Sequence, residues 1–347
     1  MGRIGTLVRA TAVLVALAFV AITATGCFVA PIEQAPTSVA PAEHLRDGPQ
    51  TATLPSDDVE PIATDPPARL PVTVDSLRYG KVTVTDVSRI IAVDRNGTLG
   101  TLVFSLGLGS HVVGRDTSTA FPSALRLPVV TNRGHTLNAE SVLALAPTIL
   151  LVTDATLPQT AVDQIRSSGV TVVVFPGARN LASNNALTRA VATALGVPRE
   201  GELLNARTNS ELAAARRLVP SPSGDPVMAF IYIRGPAILY LLGPGSGADD
   251  LIAAVGGRDA AEHAHIDEPL TQVNAEVMLA ANPNVILVMT EGAATVGGPD
   301  GVLALPGIAE TDAGRHRRVV QMDQTKILAF GPEVGEVVAA LARAIYT

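Results

Sequence analysis

The chain of 347 residues has one cysteine, no tryptophan, four tyrosines and seven phenylalanines. A single thiol, Cys27, excludes any disulfide within the chain, so the fold must rest on its apolar core. Positive charge is also scarce. With 25 Lys and Arg against 32 Asp and Glu the formal charge is -7, and no basic stripe is present, which argues against nucleic acid as a partner. No apolar run reaches the about 20 residues needed to span a bilayer. The catalytic signatures G-x-S-x-G and H-E-x-x-H are missing, and with Cys27 removed to a terminus there is no Cys-His pair, so an enzyme is not expected. The six histidines are scattered, and only His263 and His265 share a ligand-like spacing, which disfavours a metal-ion carrier.

What is present begins with a short basic start, Arg3 and Arg9, and an apolar run from Ala10 to Ile22 that ends at Thr23-Ala24-Thr25-Gly26-Cys27. This pattern describes a signal peptide over residues 1–26. The stretch Ala24-Thr25-Gly26-Cys27 resembles a lipobox, with Ala24 where leucine is commoner; the resemblance implies lipidation of Cys27, and two acyl chains suffice for stable anchoring. Losing Arg3 and Arg9 takes the formal charge from -7 to -9. Residues 27–70 carry eight prolines, from Pro31 to Pro67, among Thr, Ala, Asp and Glu. Such a composition predicts a disordered tether. About 270 residues remain, enough for two ordinary domains.

Alternating PVTVDSL and KVTVTDV, broken at Tyr79-Gly80, predict a small β-hairpin at the start of the folded part. Apolar β-branched runs then alternate with amphipathic ones. Strands are expected at Ile90–Val93, Val112–Gly114, Thr148–Thr153 and Val170–Phe175, with helices between them. A second set has strands at Val227–Tyr232, Ile238–Leu242, Val285–Met289 and Arg318–Met322. Uniformly apolar strands separated by helices indicate parallel βαβ units covered on both faces. Between the sets, residues 199–219 read as one long helix, weakened at Thr208-Asn209-Ser210. A repeat links the sets: Asn138–Asp154 (NAESVLALAPTILLVTD) and Asn274–Thr290 (NAEVMLAANPNVILVMT) agree at eight of seventeen positions. The chain is therefore expected to be α/β, with two Rossmann-like lobes of mostly parallel sheet, 71–198 and 220–347, joined by one helix. A cleft between such lobes is a common place for a small-molecule site.

These features, with SLGLGSHVVGRDTSTAFP, YIRG and LLGPGSGADDLIAAVGG, resemble the cobalamin, siderophore and haem group of substrate-binding proteins of ABC importers (class III). The narrower likeness is to haem-binding lipoproteins of Gram-positive haem importers. It is carried by Gly134-His135, Tyr232-x-Arg234 and the Gly-Ser-Gly-Ala-Asp-Asp run at 245–250. The resemblance implies a monomer held on the outer face of the cell membrane, with haem as transported ligand and a permease with its ATPase as partner. A ferric siderophore or cobalamin on the same fold is the alternative, and a secreted hydrolase a more distant one.

Ligands of open α/β sheets bind beyond the carboxyl ends of the strands. His135 falls at that end of the first lobe and Tyr232 at that end of the second, whereas His111 lies at the opposite end. The resemblance implies that His135 and Tyr232 take the two axial positions of the iron, with Arg234 supporting the tyrosine. From the spacing, Arg234 is expected to donate to the phenolic oxygen. For the haem carboxylates the candidates are Gly245 and Ser246, in a Gly-rich turn before a helix, and Arg95 and Arg133 on strand-end loops. The glycines of that turn serve equally well simply to allow positive φ. Met289 is expected to line the slot or to fill core. Glu140 and Glu276, matched in the repeat, complement the N-terminus of their helices; the resemblance adds docking to the permease.

Overall fold

The computed structural model describes residues 44–221 and 223–346. Cys27, the signal segment and the first part of the tether lie outside the described residues. Among the described residues no helix is long and apolar enough to cross a membrane.

The first lobe is a four-stranded parallel sheet in the order Val112–Arg115, Ile90–Val93, Ile149–Thr153, Thr171–Phe175. Ile90–Val93 and Ile149–Thr153 are buried along their whole length, because helices cover both faces and leave no polar side to the strand. The chain runs from Ile90–Val93 to one neighbour and then to the other, so the strand order reverses there. The resulting crevice lies at the carboxyl end, where Asp94, Arg95 and Asn96 follow. The hairpin Val72–Ser76 with Gly80–Val84 docks on the outer strand, where Val174 N donates to Ser76 Oγ at 3.0 Å and Leu77 N to Val174 O at 3.0 Å.

The second lobe holds a larger sheet in the order Gln50–Thr51, Val319–Met322, Val285–Met289, Val227–Ile233, Leu239–Leu242, Leu270–Gln272, with Arg258–Asp259 beside the start of Val227–Ile233. Its last two strands are antiparallel. Only Arg234–Ile238 separate Val227–Ile233 from the next strand, too few for the crossover a parallel pair needs. The two repeat copies occupy equivalent places. Asn138 Oδ1 accepts from Ser141 N at 3.0 Å and Asn274 Oδ1 from Val277 N at 2.9 Å, capping Ala139–Ala144 and Ala275–Ala281. Each helix then leads to a buried strand beside the first strand of its lobe.

Pro198–Arg216 joins the lobes as one continuous helix, packed against Leu181–Ala194 and the C-terminal Val334–Ile345. Thr208, expected to weaken it, is buried, and its hydroxyl donates to Pro332 O at 3.1 Å. That bond is one of four. Asn96 Nδ2 donates to Leu328 O at 2.7 Å, Thr98 Oγ1 to Ala329 O at 2.6 Å and Asn184 Nδ2 to Gly331 O at 2.9 Å. A short segment of the second lobe is thus stitched, carbonyl by carbonyl, to the first lobe and the helix.

The expectation of a disordered tether as far as residue 70 is corrected from residue 44 onward. Leu45 bridges to Tyr346, Gln50–Thr51 adds a parallel strand beside Val319–Met322, and Val59, Ile62, Ala68 and Leu70 pack on the core of the first lobe. The segment has few large apolar residues of its own, but both lobes offer surface that those few cover. Its proline-rich composition suits an extended strap without helix.

Candidate functional site

The carboxyl ends of both sheets open on one cleft of ≈ 770 Å³. From the first lobe it is lined by Arg95, Asn96, Ser118, Gly134 and His135, and from the second by Tyr232, Arg234, Tyr240, Ser246, Leu270 and Met289. The volume lies in the range of small-molecule sites. The structure therefore brings together His135, Tyr232, Arg234, Arg95, Ser246 and Met289, residues up to 194 positions apart between Arg95 and Met289.

His135 stands at the tip of a minute hairpin, Thr131–Asn132 with Thr136–Leu137. Gly134 (φ 75°) and His135 (φ 62°) both adopt the left-handed region. For a histidine that conformation is costly and is held by the strands on either side. Its Nδ1 lies 3.3 Å from Ser118 Oγ. Burial, then the positive charges of Arg95 and Arg234, hold the imidazole below its usual pKa, against a smaller opposing effect of Asp94. These effects favour the neutral ring, the form that can ligate a metal. That Arg95 and Arg234, from opposite lobes, both act on it is a measure of how closely the lobes face each other.

Tyr232 is half-buried near the end of Val227–Ile233, and its cross-strand partner is Tyr240. Arg234 does not donate to the phenolic oxygen as the spacing had suggested. Its guanidinium lies over the Tyr232 ring, 4.7 Å from the centre, while Nη1 donates to Ile233 O at 3.1 Å and Nη2 to Gln324 Oε1 at 3.1 Å. The contact with the ring is a cation–π interaction. The strand ends at Ile233, and Arg234 N donates to Ile238 O at 2.9 Å.

The Gly-rich turn also departs from expectation. The N–H groups of Gly245 and Gly247 donate to the Asp249 carboxylate at 2.9 and 3.0 Å, and Ser246 N to Gly243 O at 3.1 Å. Gly245 therefore has no free backbone donor for a ligand carboxylate, and the negative charge of Asp249 already fills the turn. Its glycines serve to allow φ of 80° and 91°. Ser246 Oγ accepts from Ala248 N at 3.2 Å and keeps its hydrogen for the cleft. Arg95 is exposed on the cleft wall, whereas the Arg133 side chain lies outside what is described. Met289 is buried, ends its strand and touches the cleft. Glu140 and Glu276 are exposed in the first turns of their helices, away from the cleft lining.

Several contributors had no sequence signal. Beneath Arg95, the buried Asp94 pairs with Arg179 at 3.1 Å. Asp116 accepts from Asp94 N at 2.9 Å and Thr119 N at 2.6 Å. Burial and the neighbouring Asp94 charge push the Asp116 carboxyl up to about 7. This polar base carries the loop with Thr117 and Ser118. Tyr240 could have been found, since it alternates correctly within an expected strand; Ser118 could not.

The periplasmic binding protein family model matches residues 96–325. The crystal structure of heme binding protein HmuT aligns with a TM-score of 0.80 at 36% identity, covering 87% of this chain and 98% of that one. Variants of HmuT with a histidine, an arginine or a tyrosine changed to alanine align equally well, and the tyrosine and arginine there stand two positions apart, as Tyr232 and Arg234 do. The uncharacterized ABC transporter substrate-binding lipoprotein YvrC of Bacillus subtilis (strain 168) is 24% identical over 296 residues, 84% of this chain and 91% of its own. A cobalamin-binding protein of Halobacterium salinarum is 25% identical over 303 residues, 86% of this chain and 80% of its own. With two α/β lobes on one long helix, a cleft at their facing strand ends and a family match that spans both, this chain belongs to the periplasmic binding protein family and is a binding protein rather than an enzyme.

Proposed function

We propose that this chain is an extracytoplasmic binding protein, lipid-anchored through Cys27, that captures haem in the interlobe cleft and hands it to an ABC permease. The observation that carries the reading is one imidazole, His135, and one phenol, Tyr232, contributed by opposite lobes to a single cleft. Histidine and tyrosine are both known axial ligands of haem iron, and the phenolate that tyrosine forms on ligation is a hard anionic donor suited to the ferric state. With one ligand on each lobe, the bound haem itself would hold the lobes together. Leu270, Tyr240 and Met289 supply apolar surface for the ring, and Arg95 and Ser246 supply donors for its carboxylates. Arg234 supports Tyr232 from the ring face.

Protein purified with haem is expected to show a Soret maximum that shifts in His135→Ala and in Tyr232→Ala and collapses when both are changed. An unchanged spectrum in the double variant would sink the assignment. The cobalamin-binding relative makes cobalamin the second reading; an apoprotein that takes up cyanocobalamin and leaves hemin free would establish it in place of haem. Glu140 and Glu276, exposed at matched positions, are assigned to permease docking. Changing both to alanine is expected to leave the spectrum intact and to abolish uptake in cells, and undiminished uptake would count against that role. Cys27→Ser is expected to move the protein from the membrane to the soluble fraction.

A further inference from the structure

We infer that Ser118 is a positioning residue that locks the His135 ring in the tautomer with hydrogen on Nδ1, leaving the Nε2 lone pair for a metal. The inference deepens the reading of His135 as an iron ligand and rests on it for its functional meaning.

The argument is a count of hydrogens. Ser118 Oγ lies 2.7 Å from Arg95 O and 3.3 Å from His135 Nδ1. A hydroxyl has one hydrogen to donate, and a carbonyl oxygen can only accept. The shorter contact therefore takes the Ser118 hydrogen, and only a lone pair of Oγ remains for the imidazole. That contact is a hydrogen bond only when Nδ1 carries hydrogen. A neutral imidazole has a single N–H, so Nε2 is then bare. No other hydrogen-bonding partner of the ring is found among the described residues.

Three further contacts hold Ser118 where this matters. Thr117 N donates to Thr131 Oγ1 at 3.1 Å and the two threonine hydroxyls lie 2.9 Å apart, tying the Ser118 loop to the first strand of the His135 hairpin. On the other side Thr119 N donates to the buried Asp116 at 2.6 Å. The loop and the hairpin are thus tied to each other, and the left-handed backbone of His135 limits the directions its ring can take. Partners that orient a ligating histidine through its other nitrogen alter metal affinity by roughly 10–100-fold when removed.

The test starts without haem. Two-bond nitrogen-15 to proton correlation spectra of the apoprotein report the tautomer of each histidine, with His135 assigned by the signals lost in His135→Gln. The expected result is Nδ1–H for His135 in the unsubstituted chain and in Ser118→Thr, and a shift toward Nε2–H in Ser118→Ala. Hemin titration should then give an affinity about 10-fold weaker in Ser118→Ala, restored in Ser118→Thr. An Nε2–H ring in the unsubstituted apoprotein, or a tautomer and affinity untouched by Ser118→Ala, overturns the inference. A chain with the Nδ1–H ring that binds no hemin would instead overturn the haem reading while upholding the tautomer.

Discussion

Asp94→Ala removes half of an ion pair sealed beneath the cleft, and its cost can be worked from the surroundings. The two side chains are 3% and 8% exposed and meet at 3.1 Å, while the second Asp94 oxygen accepts from Leu99 N at 3.0 Å, in the first turn of Thr98–Ser105. Breaking one side of a buried pair generally costs about 3–5 kcal/mol, because the remaining charge is left without a counter-ion. Two features place this case at the lower end. Arg179 keeps hydrogen bonds to Pro176 O at 2.7 Å, Ala178 O at 3.2 Å and Thr98 Oγ1 at 3.2 Å. In addition, Asp116 loses the like charge that helps to keep it protonated, so it ionises more easily and returns negative charge to the neighbourhood. A loss of about 3 kcal/mol is expected, a large fraction of the stability of an ordinary domain. In urea, with a slope near the upper end for single domains, the midpoint should fall by about 1 M. The double variant Asp94→Ala, Arg179→Met removes the orphaned guanidinium and should regain about half of the loss. A midpoint shift below about 0.3 M in the single variant, or a double variant no more stable than the single, would refute the reasoning.

Asp259, buried at the N-cap of Ala260–His263, has its carboxyl pushed up from 3.8 to about 6, chiefly by burial, while one oxygen accepts from Ala261 N at 3.0 Å and the other has no partner. Between those values the folded chain keeps a proton that the unfolded chain has lost, so this contribution to stability is full below pH 3.8 and is lost as pH rises through about 6. Asp259→Asn keeps a good cap without the charge and is expected to add about 1 kcal/mol at pH 7.5 and to flatten thermal stability between pH 4 and 7; equal stability at both pH values in the unsubstituted chain would contradict this. A chain begun at Val72, lacking the strap, should lose roughly 2 kcal/mol or more relative to one begun at His44, as its apolar contacts are exposed. Matching melting curves for the two truncations would show that the strap contributes nothing.

Much of the framework was legible in the sequence for local reasons. Ile90–Val93 and Val285–Met289 were bounded correctly because a buried strand is a short apolar run, and a run needs no knowledge of its neighbours. The NAE repeat placed a capped helix before a strand in each lobe, since an asparagine cap acts within three residues. The antiparallel end of the second sheet was missed because strand direction depends on the connection, here five residues, and not on strand composition. The tether was misjudged for a related reason. Composition counts only the apolar residues a segment carries, and Val59, Ile62 and Leu70 are stabilised by surface that other parts of the chain present.

The site divides along the same line. Sequence by itself put His135, Tyr232, Arg234 and Arg95 at strand ends, from the order of strands and helices, and the family resemblance singled out His135, Tyr232 and Arg234 among them. Only the tertiary structure decided what each of them touches. Arg234 lies over the ring of Tyr232 instead of at its oxygen, Asp249 occupies the donors of Gly245 and Gly247, and Ser118 meets His135 from 17 positions away. Hydrogen bonds and ion pairs are lost within an ångström or so of misplacement, and that accuracy is set by how the two lobes pack on one another.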